Sequence, residues 1–271
     1  EIAKNLFLEE KYFASAFEFF ELANEDYSKE ICYEYLGDIS QKFNNHNSAI
    51  IFYKKAIEIT PDNYCIHYKL GKIYKILQQN DGAKDSFETA ISLTDDKEIL
   101  EDIIKLYEDD IKYCDSDETV YEILGLAYQK LKNYEKTYEL FKKAIAIKPD
   151  DIFLQYYLAN LLFDMTEYKN AISIYDSIIS ANPYESQIRI ARAKSLKAIG
   201  KKDAAIKDYQ VVLAIYPDSK QAQYGLYKIL SGSKTTTDII KSFYPLNKKF
   251  IPSAEFYNNL ASILYQKNMV N

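Results

Sequence analysis

Few side chains in this sequence are equipped for catalysis. Two histidines, His46 and His67, are the residues whose ordinary pKa lies near neutrality, and neither has an acidic or cysteine companion at ligand spacing. His46 is expected in a turn between two helices and His67 as a packed core side chain. Cys32, Cys65 and Cys114 are odd in number and lack CxxC spacing, so neither a zinc site nor a disulfide framework is indicated. Free thiols fit a reducing compartment. No GxGxxG, GKS/T, HExxH or GxSxG occurs, and 7 glycines are too few for a phosphate-cradling loop. The 40 carboxylates are spread over what read as solvated helix faces and carry little catalytic weight. No catalytic residue, cofactor or metal is expected.

The chemistry of recognition is left, and it needs elements to position it. Gly and Pro are scarce, at 7 and 6 of 271 residues, while Ala, Leu, Lys, Glu and Ile abound, so the chain should be all-α. Hydrophobic residues make up 48% of it, enough for a sizeable core, yet no apolar run is long enough to span a bilayer and no leader opens the chain. Membrane insertion is not expected, and a cytoplasmic location is. The formal charge of −6 and the lack of any RNP-type, zinc-finger or basic-helix motif argue against a nucleic-acid partner.

The organisation of the helices shows in a near-duplication: YKKAIEITPD from Tyr53 and FKKAIAIKPD from Phe141, 88 residues apart. Gly37, Ala49, Tyr53, Ala56 and Pro61 are matched 34 residues on by Gly71, Ala83, Phe87, Ala90 and Asp95. The frame resumes at Gly125, Phe141, Ala144 and Pro149, and continues through Ala159, Ala171, Tyr175 and Pro183, then Ala193, Ala205, Tyr209 and Pro217. With LGKIY at 70–74 and LGLAY at 124–128, these residues resemble the tetratricopeptide (TPR) repeat. The resemblance implies a right-handed superhelical solenoid of antiparallel helix pairs, read as a single solenoid over 1–271. Its units fall at 1–29 (partial), 30–63, 64–97, 98–117 (short), 118–151, 152–185, 186–219, 220–253 (divergent) and 254–271 (partial).

Each recurring type has a physical reason. Gly or Ala at the eighth position and Ala at the twentieth leave room where the two helices of a unit cross. The aromatic at the twenty-fourth fills the adjoining space, and Ala at the twenty-seventh admits the next unit. Pro near the thirty-second ends the second helix, and the Asp or Asn after it can cap the next one. Since 88 is twice 34 plus 20, one unit must be short: Glu98–Asp117 starts as a first helix (Ile99, Leu100, Ile103, Ile104, Tyr107) and leaves no room for a second. It reads either as a single-helix unit, with a change of superhelical direction, or as an irregular loop. In the first unit, Ala16, Phe20 and Ala23 fall at second-helix positions; at the far end, Tyr257, Leu260, Ala261 and Leu264 restart a first helix. With neither end clearly capped, the chain reads as a segment of a longer protein.

Charge divides unevenly. Residues 1–117 hold 13 Lys and Arg against 25 Asp and Glu, and the remainder 21 against 15. In TPR proteins the concave groove is lined by positions two, five, nine and twelve of the first helix. That resemblance assigns Phe153, Tyr156, Asn160 and Phe163, then Gln187, Ile190, Lys194 and Lys197, then Gln221, Tyr224, Lys228 and Ser231 to the groove. An aromatic wall beside a lysine row suits a partner segment bearing acidic groups. Tyr68, Lys72 and Lys75 form a second patch. The Lys/Asn clamp by which some TPR modules grip a chaperone's C-terminal carboxylate is broken here at Ala191, Gln221 and Gly225. Arg189 and Arg192 stand at positions four and seven, which ordinarily favour apolar residues. Their stems are expected to cover apolar surface while the guanidinium groups reach solvent or a carboxylate.

The leading expectation is therefore a non-catalytic scaffold for a protein or peptide partner. Two others stand beside it: the TPR region of a multidomain enzyme such as a glycosyltransferase, and a self-association module forming a homo-oligomer.

Overall fold

A computed structural model describes residues 1–25, 28–111 and 117–230, together with 261 and 265. Its described residues form 14 α-helices and no strand. The chain divides into two compact units, Glu1–Leu140 and Phe141–Asn271. The first holds α1 (Ile2–Leu8), α2 (Tyr12–Asn24), α3 (Lys29–Lys42), α4 (His46–Ile59), α5 (Tyr64–Ile76), α6 (Asn80–Leu93), α7 (Lys97–Ile111) and α8 (Glu118–Lys130). Helix α9 (Tyr134–Ile147) crosses the boundary; α10 (Ile152–Asp164), α11 (Tyr168–Ala181), α12 (Ser186–Ala198), α13 (Lys202–Ile215) and α14 (Lys220–Leu230) belong to the second. The divergent unit expected over 220–253 is described only to residue 230, and Cys114, Ser231, Tyr257, Leu260 and Leu264 lie outside the described residues.

Helices pair through short turns, α3 with α4, α5 with α6, α10 with α11 and α12 with α13. The turns within these four pairs, and those between α1 and α2 and between α8 and α9, each contain a left-handed residue, and these keep the repeat period: Glu10, Asn44 and Gln78, then Lys132, Thr166 and Gly200. Only the last is glycine, so the reversal is imposed on side chains that resist it, since the left-handed region crowds Cβ against the carbonyl. Asn45, Asn63, Asp117 and Asp151 accept backbone N–H bonds as N-caps of α4, α5, α8 and α10. After both Pro61 and Pro149 the cap stands at the second residue on, one beyond the Asp next to the proline.

The small residues at position eight are there for the aromatic of the partner helix. A Cβ at Gly37 would run into the Tyr53 ring, and one at Gly71 would meet the Phe87 ring at 2.9 Å. Tyr53, Phe87, Tyr175 and Tyr209 are all buried with the alanines around them.

Three expectations are corrected. In α2 the buried residues are Ser15, Phe19 and Ala23, not Ala16 and Phe20. Counting back 34 from Ala49 and Tyr53 lands on Ser15 and Phe19, which sets the register of this helix one residue earlier than expected. Ser15 Oγ donates to the Ala3 carbonyl at 2.9 Å, and Phe19 stacks on Tyr35 at 4.5 Å. His46 is the first residue of α4 and not part of the turn. His67 is half-buried, with Nε2 2.9 Å from the Pro61 carbonyl oxygen. The reason recurs at the same position: Gln155, Arg189 and Gln223 donate at 2.7 Å to the carbonyls of Pro149, Pro183 and Pro217. Each of these prolines stands two residues past a helix end, in the turn, where its carbonyl has no ladder to join, and the fourth residue of the next helix answers it.

Among the described residues α7 is followed directly by α8. Leu100, Ile103, Ile104 and Tyr107 bury one face of α7, and α8 packs against both α7 and α6. Glu122 of α8 is thereby buried, its carboxylate 2.7 Å from Lys84 of α6.

Candidate peptide-binding cleft

In the second unit, α10, α12 and α14 lie side by side and shape two adjoining hollows. One, of about 280 Å³, is lined by Tyr156, Asn160, Phe163, Gln187 and Lys194 among others. The second, of about 460 Å³, is lined by Lys197, Tyr209, Tyr224 and Lys228, and shares Phe163, Lys194 and Gln221 with the first. The shared side chains make one cleft of the two.

Helical geometry explains the convergence. Positions five, nine and twelve recur on one face of each helix, so Tyr156, Asn160 and Phe163 project together, as do Ile190, Lys194 and Lys197 on the neighbouring helix. Lys194 and Lys228 are exposed, and Lys197 half-buried. None of the three has a carboxylate partner among the described residues; Lys228 instead lies over the Tyr224 ring at 4.6 Å. One acidic side chain, Asp164, also lines the cleft. Asn160 accepts a hydrogen bond from Tyr175 at 2.7 Å, which fixes the amide and leaves its N–H groups for another partner. Burial pushes the Tyr175 phenol well above its usual range and the Tyr209 phenol up to about 12, so both stay neutral donors.

Two of the assigned groove residues differ from the rest in exposure. Ile190 lines the first hollow as its floor, buried in the same apolar cluster as Ala193, Leu196 and Tyr209. Phe153 stands 69% exposed at the start of α10, away from the hollows. Tyr175, Tyr209, Asp164 and Gly225 line the cleft although the repeat positions do not assign them to it. Gly225 falls outside the frame, in which small residues precede their aromatic by 16, yet a Cβ there would run into the Tyr209 ring.

The second patch in the first unit is differently disposed. Tyr68 donates to Asp102; Lys72 lies 2.9 Å from the Tyr68 hydroxyl and 3.3 Å from Asp102; Lys75 is paired with Asp110. Lys69 bridges Glu34 and Asp38 at 2.8 Å each. Lysines of α5 are thus joined to carboxylates of α3 and α7. The Lys72 and Tyr68 contacts hold the Asp102 carboxyl below its ordinary range, the Tyr68 hydrogen bond most of all.

Among the described residues no three metal-ligating side chains converge, and no helix is long and apolar enough to cross a membrane. Paired helices in series define a helical-repeat protein. Family models agree on which: residues 37–78, 66–97 and 190–219 match tetratricopeptide repeats, and 129–183 the YpiA-like tetratricopeptide repeats. The chain is a tetratricopeptide repeat protein.

It is 26% identical over 213 residues to TPR repeat-containing protein MJ1428 of Methanocaldococcus jannaschii, covering 78% of this chain and 37% of that protein. It is 23% identical over 167 residues to the BBSome complex member BBS4 of Bos taurus, covering 62% and 28%. The chain therefore spans about a third of the length of these relatives. In fold it is similar to MamA from Desulfovibrio magneticus RS-1, with a TM-score of 0.50 and 15% identity over 72% of this chain and 96% of that one.

Proposed function

We propose that the chain is a non-catalytic scaffold whose cleft across α10, α12 and α14 holds an extended or helical partner segment bearing acidic groups. The observation that carries this reading is the disposition of lysines. In the first unit Lys69, Lys72 and Lys75 are engaged by carboxylates of the chain itself, whereas Lys194, Lys197 and Lys228 have no such partner among the described residues and face one cleft. A row of lysines without counter-charge attracts carboxylates, and Tyr156, Phe163 and Tyr224 offer apolar area at low entropic cost. The likeness to a BBSome complex member fits a role in assembly.

The test replaces Lys194, Lys197 and Lys228 with Glu and follows a fluorescently labelled peptide of alternating Glu and Leu by polarisation. Each rim pair contributes about 0.5–1 kcal/mol, so the triple variant should bind on the order of 10–100-fold more weakly. Helical content and melting should not change. Binding at full strength by the triple variant would remove the cleft assignment.

A further inference from the structure

The buried aromatic of each repeat and the residue 15 places before it vary together. Asp38 precedes Tyr53 and Asn160 precedes Tyr175, and each accepts a hydrogen bond from the tyrosine hydroxyl, at 2.6 and 2.7 Å. Lys72 and Leu126 have no acceptor to offer, and the aromatics that follow them, Phe87 and Phe141, carry no hydroxyl. The fifth pair breaks the rule, because Lys194 stands before Tyr209. A phenol is kept where the repeat has lost its acceptor. Tyr209 is 2% exposed, and its hydroxyl makes no hydrogen bond among the described residues. A buried hydroxyl left so is costly.

The surroundings of Tyr209 repeat the imbalance. It lines the 460 Å³ hollow together with Lys194 and Lys197 of α12 and Lys228 of α14. Burial first, and then the charge of Asp208, push its phenol up to about 12, so it remains a donor at neutral pH. Asp164 lines only the neighbouring hollow, and no carboxylate borders this one among the described residues. Three ammonium groups and a phenol, carried by three helices, are therefore donors around one space. The acceptor that answers them is an anion from outside the chain.

Resting on the cleft assignment, we propose that this hollow takes the phosphoryl group of a phosphoserine or phosphothreonine in the partner segment. A carboxylate brings two coplanar oxygens and a single charge. A phosphoryl group brings three acceptor oxygens in a tetrahedral spread and about two charges, which suits donors arriving from three directions. Lysine serves phosphate as a point charge and needs no planar fork. Phe163 and Tyr224 line the same hollow and offer apolar area to the residues flanking the phosphoryl group.

The test compares three labelled Glu/Leu peptides, with Ser, Glu or phosphoserine at one central position, by fluorescence polarisation. Phosphoserine should bind at least about 10-fold more tightly than Glu. Tyr209→Phe, which installs the pairing already present at Lys72 and Phe87, should cut that preference at least about 5-fold with unchanged circular dichroism. Lys194→Asn, at an exposed position, gives the phenol the acceptor found at Asn160 and should cut the preference as far. Inorganic phosphate and single-stranded oligothymidylate, each at about 10-fold excess, should not displace the phosphopeptide. Displacement by either would overturn the assignment to a phosphorylated segment. Equal affinity for phosphoserine and Glu, or a preference indifferent to both variants, would overturn the phosphoryl subsite and leave the acidic-segment cleft standing. Failure of all three peptides to bind would remove the cleft and the subsite together.

Discussion

Arg192 on α12 holds the buried carboxylate of Asp208 on α13 through Nε at 2.8 Å and Nη2 at 2.5 Å, while its Nη1 reaches Asp176 on α11 at 2.6 Å. One guanidinium thus joins three consecutive helices. Arg189 adds a contact to Asp208 at 3.3 Å. Asp208 is 3% exposed, so removing it takes from a largely dry site the carboxylate both arginines share, leaving Arg192 with Asp176 alone and Arg189 with only the Pro183 carbonyl. Asp208→Ala should cost about 3–5 kcal/mol, and Arg192→Lys less, because an ammonium keeps a charge but not the fork. Urea denaturation followed by circular dichroism measures both.

Glu88 supplies a pH dependence. Burial and the neighbouring Glu122 push its carboxyl up to about 7 from an ordinary 4.5, partly opposed by Lys84 and reinforced by Asp85. The unfolded chain gives up this proton near pH 4.5 and the folded one only near 7, so the group subtracts stability as pH rises through that window. Glu88→Gln should stabilise the protein by about 1–3 kcal/mol at pH 8 and leave it unchanged at pH 4. Melting at the two pH values decides it; equal shifts would show that the effect is not protonic.

Thr166 is a β-branched residue held at φ 63° in the turn between α10 and α11. Its branched Cβ is the poorest tenant for that conformation. Thr166→Asn should raise stability by about 1 kcal/mol, and Thr166→Gly by somewhat less, because glycine loses more backbone freedom on folding. A melting-temperature comparison tests the order.

Relieving the lysines of the first unit should create a new site. Asp102→Asn with Asp110→Asn leaves Lys72 and Lys75 without their carboxylate partners beside Tyr68. The double variant should bind the Glu/Leu peptide about 5–10-fold more tightly in the Lys194, Lys197 and Lys228 charge-reversed background than that background alone. No gain would mean that ion pairing is not what separates the two lysine rows.

Much of the fold is legible in the sequence because the signals repeat. Gly37 and Gly71 are small for one steric reason, contact with an aromatic 16 residues on, and a constraint written more than once in one chain can be read without an alignment. The role of His67 is not legible, because no single unit shows what position four does. Only when His67, Gln155, Arg189 and Gln223 are each seen beside a proline carbonyl does the polar preference make sense. The register of α2 is ambiguous for a related reason: Phe19 and Phe20 are adjacent and equally apolar, and composition alone does not say which one faces α3.

The sequence by itself determined the helices, their pairing and the period, since these arise from local spacing, small-residue positions and helix ends. It also placed Lys72, Lys75, Lys194, Lys197 and Lys228 at equivalent kinds of position, where they look alike. Only the tertiary structure separated them, because whether a lysine is available depends on carboxylates some 30 residues away along the chain, brought within 4 Å by the stacking of α7 on the preceding pair. Coulomb attraction acts through space, and the chain order does not record it.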